Sequence, residues 1–142
     1  CVHHPPPANH QFGTPPTRAV AQETLAQTRS ATIGAPPEDL LAWVVEVPLE
    51  DVFGFYRSIA SVTGSEPLAG RWPDEGAQRR VLLADGHQAA EVLLERQIGS
   101  SFTYQVWGFT NAAGDLASYA IGRFEVAPEQ GGSRLTWTYA FR

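Results

Sequence analysis

Methionine is absent from the chain, and cysteine occurs once, at Cys1. A single cysteine excludes an internal disulfide, so the fold must rest on its core. Apolar runs are short. The longest, Leu40-Leu41-Ala42-Trp43-Val44-Val45, stops at Glu46, far below the ~20 residues of a membrane-spanning helix. Positive charge is also scarce: ten Lys plus Arg stand against fifteen Asp plus Glu, a net charge of -5. That balance argues against nucleic acid or an anionic membrane surface as the main partner. No nucleophile elbow, zinc-ligand spacing, phosphate loop or dinucleotide fingerprint occurs. The sequence therefore implies no catalytic set, no metal site and no cofactor.

What is present fits one soluble domain. The chain has 142 residues, 43% hydrophobic and 18% charged, enough for a substantial core. Its clearest signal is the closing stretch, where Gly131-Gly132 hands over to strict alternation. Leu135, Trp137, Tyr139 and Phe141 point one way; Arg134, Thr136, Thr138 and Ala140 point the other. A period of two in aromatic and β-branched residues is a strand signature. Its apolar face must be covered.

Residues 1–18 read as a tether, because Pro5-Pro6-Pro7 and Pro15-Pro16 favour extended polyproline conformations without a packed core. His3, His4 and His10 lie in this stretch with no accompanying ligand pattern, so solvated histidines are expected. A sole cysteine at position 1 fits removal of a bacterial lipoprotein signal peptide. Cys1 would then carry the lipid, and the protein would be an extracytoplasmic, membrane-anchored lipoprotein. A fragment boundary, with a cytoplasmic location, is the alternative. Residues 19–38 read as an arm or short helix, broken at Pro36-Pro37.

The domain proper is expected over residues 39–142. Residues 40–47 read as its first strand, and Pro48 with Glu50 and Asp51 as a helix start. A rival reading starts the helix at Pro36-Pro37-Glu38-Asp39, with Leu40, Leu41 and Val44 facing the core. Glycine and proline make residues 60–77 irregular, with Trp72 as an anchor. Strands follow at 78–83, 88–97, 101–107 and 117–126, before the closing strand. The first two are joined by Ala84-Asp85-Gly86, a tight hairpin signal that leaves His87 as a solvated turn residue. A strand and helix ahead of an antiparallel meander make the class α+β.

Four pieces carry a family likeness in the right order: Arg79-Arg80-Val81-Leu82-Leu83-Ala84-Asp85-Gly86, Glu91-Val92-Leu93-Leu94-Glu95, Phe102-Thr103-Tyr104, and Gly132 to Tyr139. Over about residues 40–142 the chain resembles the START-like superfamily. More narrowly, it resembles the polyketide cyclase/dehydrase and lipid-transport group of SRPBCC domains. The resemblance implies a helix-grip fold: a curved antiparallel sheet around a long C-terminal helix, with a hydrophobic cavity between. That helix would begin after Phe141, where the given chain stops. The Leu135/Trp137/Tyr139/Phe141 face is therefore expected to need a helix beyond Arg142 or a partner chain.

Polar residues set mid-strand among apolar neighbours are candidates to look into the cavity: Arg80, Glu91, Tyr104 and Tyr119, joined by Trp137 and Tyr139 of the closing strand. Val92 is expected beside them. A half-buried Glu91 would have a raised pKa and could act as acid or base; the blander reading is a solvent-facing Glu91 beside Arg80. Trp43, Trp72, Trp107 and Trp137 could line a pocket or simply build a core. Three functions follow. The first is a non-catalytic domain that binds a lipid or other apolar small molecule. The second is an accessory structural subunit of a membrane complex, anchored through Cys1 and covered on its closing strand. The third is a cyclase- or dehydratase-type enzyme, which would need an acid/base pair that the sequence does not display.

Overall fold

A computed structural model describes residues 2–18, 25–46 and 62–142. Seven antiparallel strands form one sheet in the order β1-β7-β6-β5-β4-β3-β2. They are β1 Leu25–Ile33, β2 Val62–Ala69, β3 Gln78–Leu83, β4 Gln88–Gln97, β5 Ser101–Trp107, β6 Tyr119–Glu129 and β7 Gly132–Phe141. Helix α1, Pro37–Glu46, follows β1, and a single turn, α2, Ala113–Leu116, precedes β6. From β2 to β7 each strand pairs with the next, apart from the connection out of β1, which sits beyond β7. This is the α+β helix-grip class that the sequence implies.

The expected bounds of β3, β4 and β5 hold at both ends, while β6 begins two residues late and runs to Glu129. The alternation of β7 decides its two faces. Leu135, Trp137 and Tyr139 are 0–5% exposed, whereas Thr136 and Thr138 are half-buried on the other side. The inner face gathers Val81, Leu93, Phe102, Tyr104, Phe124 and their neighbours into one core with Leu40, Leu41, Val44 and Val45 of α1. Helix α1 lies against β6 and β7. Leu135, Trp137 and Tyr139 are thus buried within the chain, which corrects the expectation that their face needs a further helix or partner to cover it. Only Phe141 remains half-buried.

Three other expectations change. Residues 40–46, expected with Val47 as the first strand, are helix, as the rival reading had it, and Val47 lies outside the described residues. Pro37 opens the helix with Glu38 and Asp39 in its first turn, where a missing N–H costs nothing and the dipole favours acid. Leu40, Leu41, Val44 and Val45 are buried while Trp43 is 46% exposed, a one-sided helical stripe rather than a buried strand. Residues 25–33, expected as arm or short helix, are an edge strand registered on β7 from Leu25↔Phe141 to Ile33↔Ser133. Their own sequence has little apolar alternation; pairing with β7 imposes the extended form. Residues 62–69, expected as irregular, form the opposite edge, with register shifts beside Gly64 and Pro67. Proline is tolerated at an edge because its missing N–H faces outward.

The expected helix over residues 48–59 lies outside the described residues, as does Cys1. The proline-rich segment is not a free tether. It runs along the outer face of the sheet, with Phe12 against the cluster of Ala90, Val92, Trp107 and Tyr119. His87 is buried rather than solvated; its Nδ1 lies 2.9 Å from Thr110 Oγ1.

Candidate functional site

Four of the expected site residues meet on the inner face: Glu91 from β4, Tyr104 from β5, and Trp137 and Tyr139 from β7. Around them the rings form a continuous band. Phe102 to Phe124 is 5.1 Å between centroids, Phe124 to Trp137 5.9 Å, Trp137 to Tyr139 5.1 Å and Tyr139 to Phe141 4.8 Å. Two polar couples interrupt this apolar surface.

The first couple is Arg79 and Glu91. Arg79 Nε donates to Glu91 Oε2 at 3.0 Å and Nη2 to Oε1 at 3.4 Å, a two-pronged pairing. The opposite face of the guanidinium is covered too: Arg79 Cζ stands 3.9 Å from the centre of the Trp72 ring. Trp72 is held in turn by its Nε1, which donates to Val45 O of α1 at 3.0 Å. Trp72 is thus the anchor that the sequence suggested, and its role is to fix Arg79. Burial pushes the Glu91 carboxyl above its ordinary pKa, and the charge and hydrogen bonds of Arg79 pull it back down. Glu91 is therefore neither solvent-facing nor beside Arg80.

The second couple is Tyr104 and Trp137, whose Nε1 donates to Tyr104 Oη at 3.0 Å. Gly122 makes this reach possible. It sits opposite both Tyr104 on β5 and Tyr139 on β7, and a Cβ there would collide with Cζ and Oη of Tyr104. The phenol lies across the bare backbone of β6 to meet the indole two strands away. Burial pushes the Tyr104 hydroxyl well above its ordinary pKa; Tyr139 and Glu91 push the same way, and the Trp137 hydrogen bond opposes them.

Two expected site residues are elsewhere. Arg80 and Tyr119 belong to the outer face, as does Val92, because side chains alternate along β3, β4 and β6. Arg80 Nη1 donates to Gln88 Oε1 at 2.6 Å, and Nε lies 3.5 Å from the exposed carboxylate of Glu66. Tyr119 packs with Trp107. The sequence did hold the signal for the correct pairing. Arg79 and Glu91 are equidistant from Asp85 at the hairpin tip, and they face each other in the ladder. Counting outward from the turn gives Arg79, not Arg80, as the partner. No local signal marks Gly122, whose role depends on strands on both sides.

A family model described as polyketide cyclase / dehydrase and lipid transport matches residues 24–142. Among curated protein sequences none matches. Solved structures share the fold at low identity. The crystal structure of Ara h 8.0201 has a TM-score of 0.64 at 14% identity, over 84% of this chain and 78% of that one. Ginseng major latex-like protein 151 from Panax ginseng gives 0.63 at 13%, over 84% and 79%. The protein XoxI from Bacillus cereus gives 0.60 at 18%, over 82% and 74%. The family match takes in the edge strand β1 as well as the meander, the helix α1 and both polar couples, and this chain belongs to the polyketide cyclase/dehydrase and lipid transport family.

Proposed function

We propose that this chain binds an apolar small molecule or lipid on the inner face of its sheet, and that the molecule carries at least one hydrogen-bonding oxygen. The observation behind this reading is the aromatic band with two buried polar couples set into it. Stacked rings offer contact to a flat or chain-like apolar body. A polar oxygen would be needed as well, because Arg79 and Tyr104 keep donors that a pure hydrocarbon would leave unpaired. Both oxygens of Glu91 are engaged by Arg79, which favours anchoring over the proton transfer that a cyclase or dehydratase would ask of it. Burial of the closing strand within the chain also removes the motive for an accessory-subunit role.

The test is titration of the full chain with an environment-sensitive apolar fluorophore, followed by displacement with a long-chain alcohol and with the matching alkane. Saturable binding is expected, with the alcohol displacing better than the alkane. Tyr104→Phe keeps the ring and removes the hydroxyl, so it should weaken the alcohol about tenfold, the equivalent of roughly 1.4 kcal/mol, and leave the alkane unchanged. No saturable binding of any apolar probe would end this reading.

A further inference from the structure

The outer face of the sheet carries a second arrangement that the inner site does not explain. Three deeply buried polar side chains there, Arg80, Gln88 and Gln105, are 2–5% exposed. Each donates to a main-chain carbonyl of the proline-rich segment. Gln88 Nε2 reaches Pro7 O at 3.3 Å, Arg80 Nη1 reaches His10 O at 2.8 Å, and Gln105 Nε2 reaches Pro16 O at 2.9 Å. Between these points Phe12 drops onto the outer apolar cluster, with the Arg80 guanidinium 5.3 Å from its ring centre. Gly108 leaves the room for it: a Cβ there would come within 2.8 Å of Phe12 Cδ1. One donor stays unmatched. Trp107 is 4% exposed, and among the described residues its Nε1 is the one buried side-chain polar atom with no hydrogen-bond partner.

A row of buried donors flanking an apolar, aromatic slot suits one kind of occupant. A proline-rich chain projects carbonyls, supplies few N–H groups and has little conformational entropy left to lose. Here it turns once, His10 N–H donating to Pro7 O at 3.0 Å, so that the carbonyls of Pro7 and His10 both meet the sheet. Recognition through main-chain carbonyls depends on that backbone form more than on the side chains presented. A buried indole N–H left without an acceptor is costly, so residues 5–16 fill the slot while leaving one of its four donors unused.

We propose that the outer face is a recognition groove for a proline-rich segment of another polypeptide that can make the Pro7–His10 type of turn, and that residues 5–16 occupy it as a built-in competitor. An incoming segment that also offers a carbonyl to Trp107 Nε1 satisfies four donors where the chain's own segment satisfies three. The tethered segment competes at an effective concentration on the order of millimolar, so loosening it exposes the groove. The groove lies on the side of the sheet opposite the aromatic band, and its occupancy does not depend on what the inner face binds.

The experiment uses ¹⁵N-labelled full chain and its Phe12→Ala variant, titrated with an unlabelled peptide of residues 5–16 and with the same peptide carrying alanine at every proline. The Trp107 indole signal and the Gln88 and Gln105 carboxamide signals should shift saturably. Binding should be about tenfold tighter to the variant than to the unchanged chain, and about tenfold weaker for the alanine peptide. The Trp137 indole signal should stay in place, which reports an intact inner face. Should Phe12→Ala disturb that signal, the unchanged chain at higher peptide concentration gives the same answer. The proposal fails if no outer-face signal moves at millimolar peptide, or if the alanine peptide binds as well. It fails also if the variant instead dimerises with concentration, which would assign the groove to a second copy.

Discussion

The two faces of one sheet solve the burial of polar groups in opposite ways. On the inner face, polar side chains satisfy one another: Arg79 with Glu91, and Trp137 with Tyr104. Their partners are cross-strand neighbours or lie across one glycine, so these pairings are made once the strands are in register. On the outer face, Arg80, Gln88 and Gln105 reach carbonyls of a segment 70 to 89 residues away in sequence. That face is complete only while the segment stays docked. The comparison teaches that pairing within the sheet fixes the polar groups of a face in place, while pairing with a remote, proline-rich strip makes a surface that can open.

The largest expected effect tests whether the inner face is the interior. Trp137→Ala removes a ring that stacks on Phe124, leans against Tyr139 and donates to Tyr104, and should cost on the order of 3–5 kcal/mol in chemical unfolding. Thr136→Ala, on the other side of the same strand, should stay within about 0.5 kcal/mol. Equal losses would mean that the faces are not distinct.

Next comes the buried ion pair against an exposed one. Glu91→Ala leaves the Arg79 guanidinium without its partner and should cost about 3–5 kcal/mol. Arg123 and Glu125, 3.1 Å apart on the outer face with side chains 36% and 50% exposed, form a surface pair whose loss through Glu125→Ala should cost about 0–1 kcal/mol. The same residue has a pH signature. Burial raises the folded-state pKa of Glu91 above its ordinary 4.5. Its protonation-linked stability is therefore complete below pH 4.5 and is lost as pH rises through the folded value. Between pH 4.5 and neutrality the unchanged chain should lose stability relative to Glu91→Gln, which carries no such proton. A parallel pH dependence for the two proteins would show that the carboxyl is not buried as described.

The smallest effect sharpens the outer face. Phe12→Ala should alter global unfolding by about 1 kcal/mol at most, since the sheet's ladders do not depend on the segment. Backbone order parameters at Ala8, Asn9 and Gln11 should nevertheless fall from a rigid ~0.85 to below about 0.6. A segment that stays rigid without Phe12 is held by its carbonyls alone, and the apolar slot is then incidental.

Much of this fold was legible residue by residue. The central strands β3 and β4 announce themselves through short apolar runs on either side of Asp85-Gly86, β5 through its aromatic and β-branched residues after Ile98-Gly99-Ser100, and β7 through its alternation. Period-two patterning works in β7 because one face of that strand is in the core and the other is not. It also contained the Arg79–Glu91 pairing, by counting from the hairpin tip. Both edge strands escaped, because Leu25–Ile33 and Val62–Ala69 are mostly exposed and bury too little to force a pattern. The run from Leu40 to Val45 was ambiguous because six consecutive apolar residues suit a buried strand as well as one stripe of a short helix.

By itself, then, the sequence determined the meander and the sidedness of its closing strand, since both follow from local alternation and turn chemistry, and it carried a family resemblance in the order of its motifs. Only the tertiary structure decided which polar residues work together beyond the one hairpin that pairs Arg79 with Glu91. Tyr104 reaches Trp137 because a strand between them carries glycine at one position, and Arg80, turned outward by strand alternation, finds an acceptor because a proline-rich strip brings His10 O to it. Both outcomes depend on atoms brought together from distant parts of the chain, and no local pattern encodes a distance across a sheet.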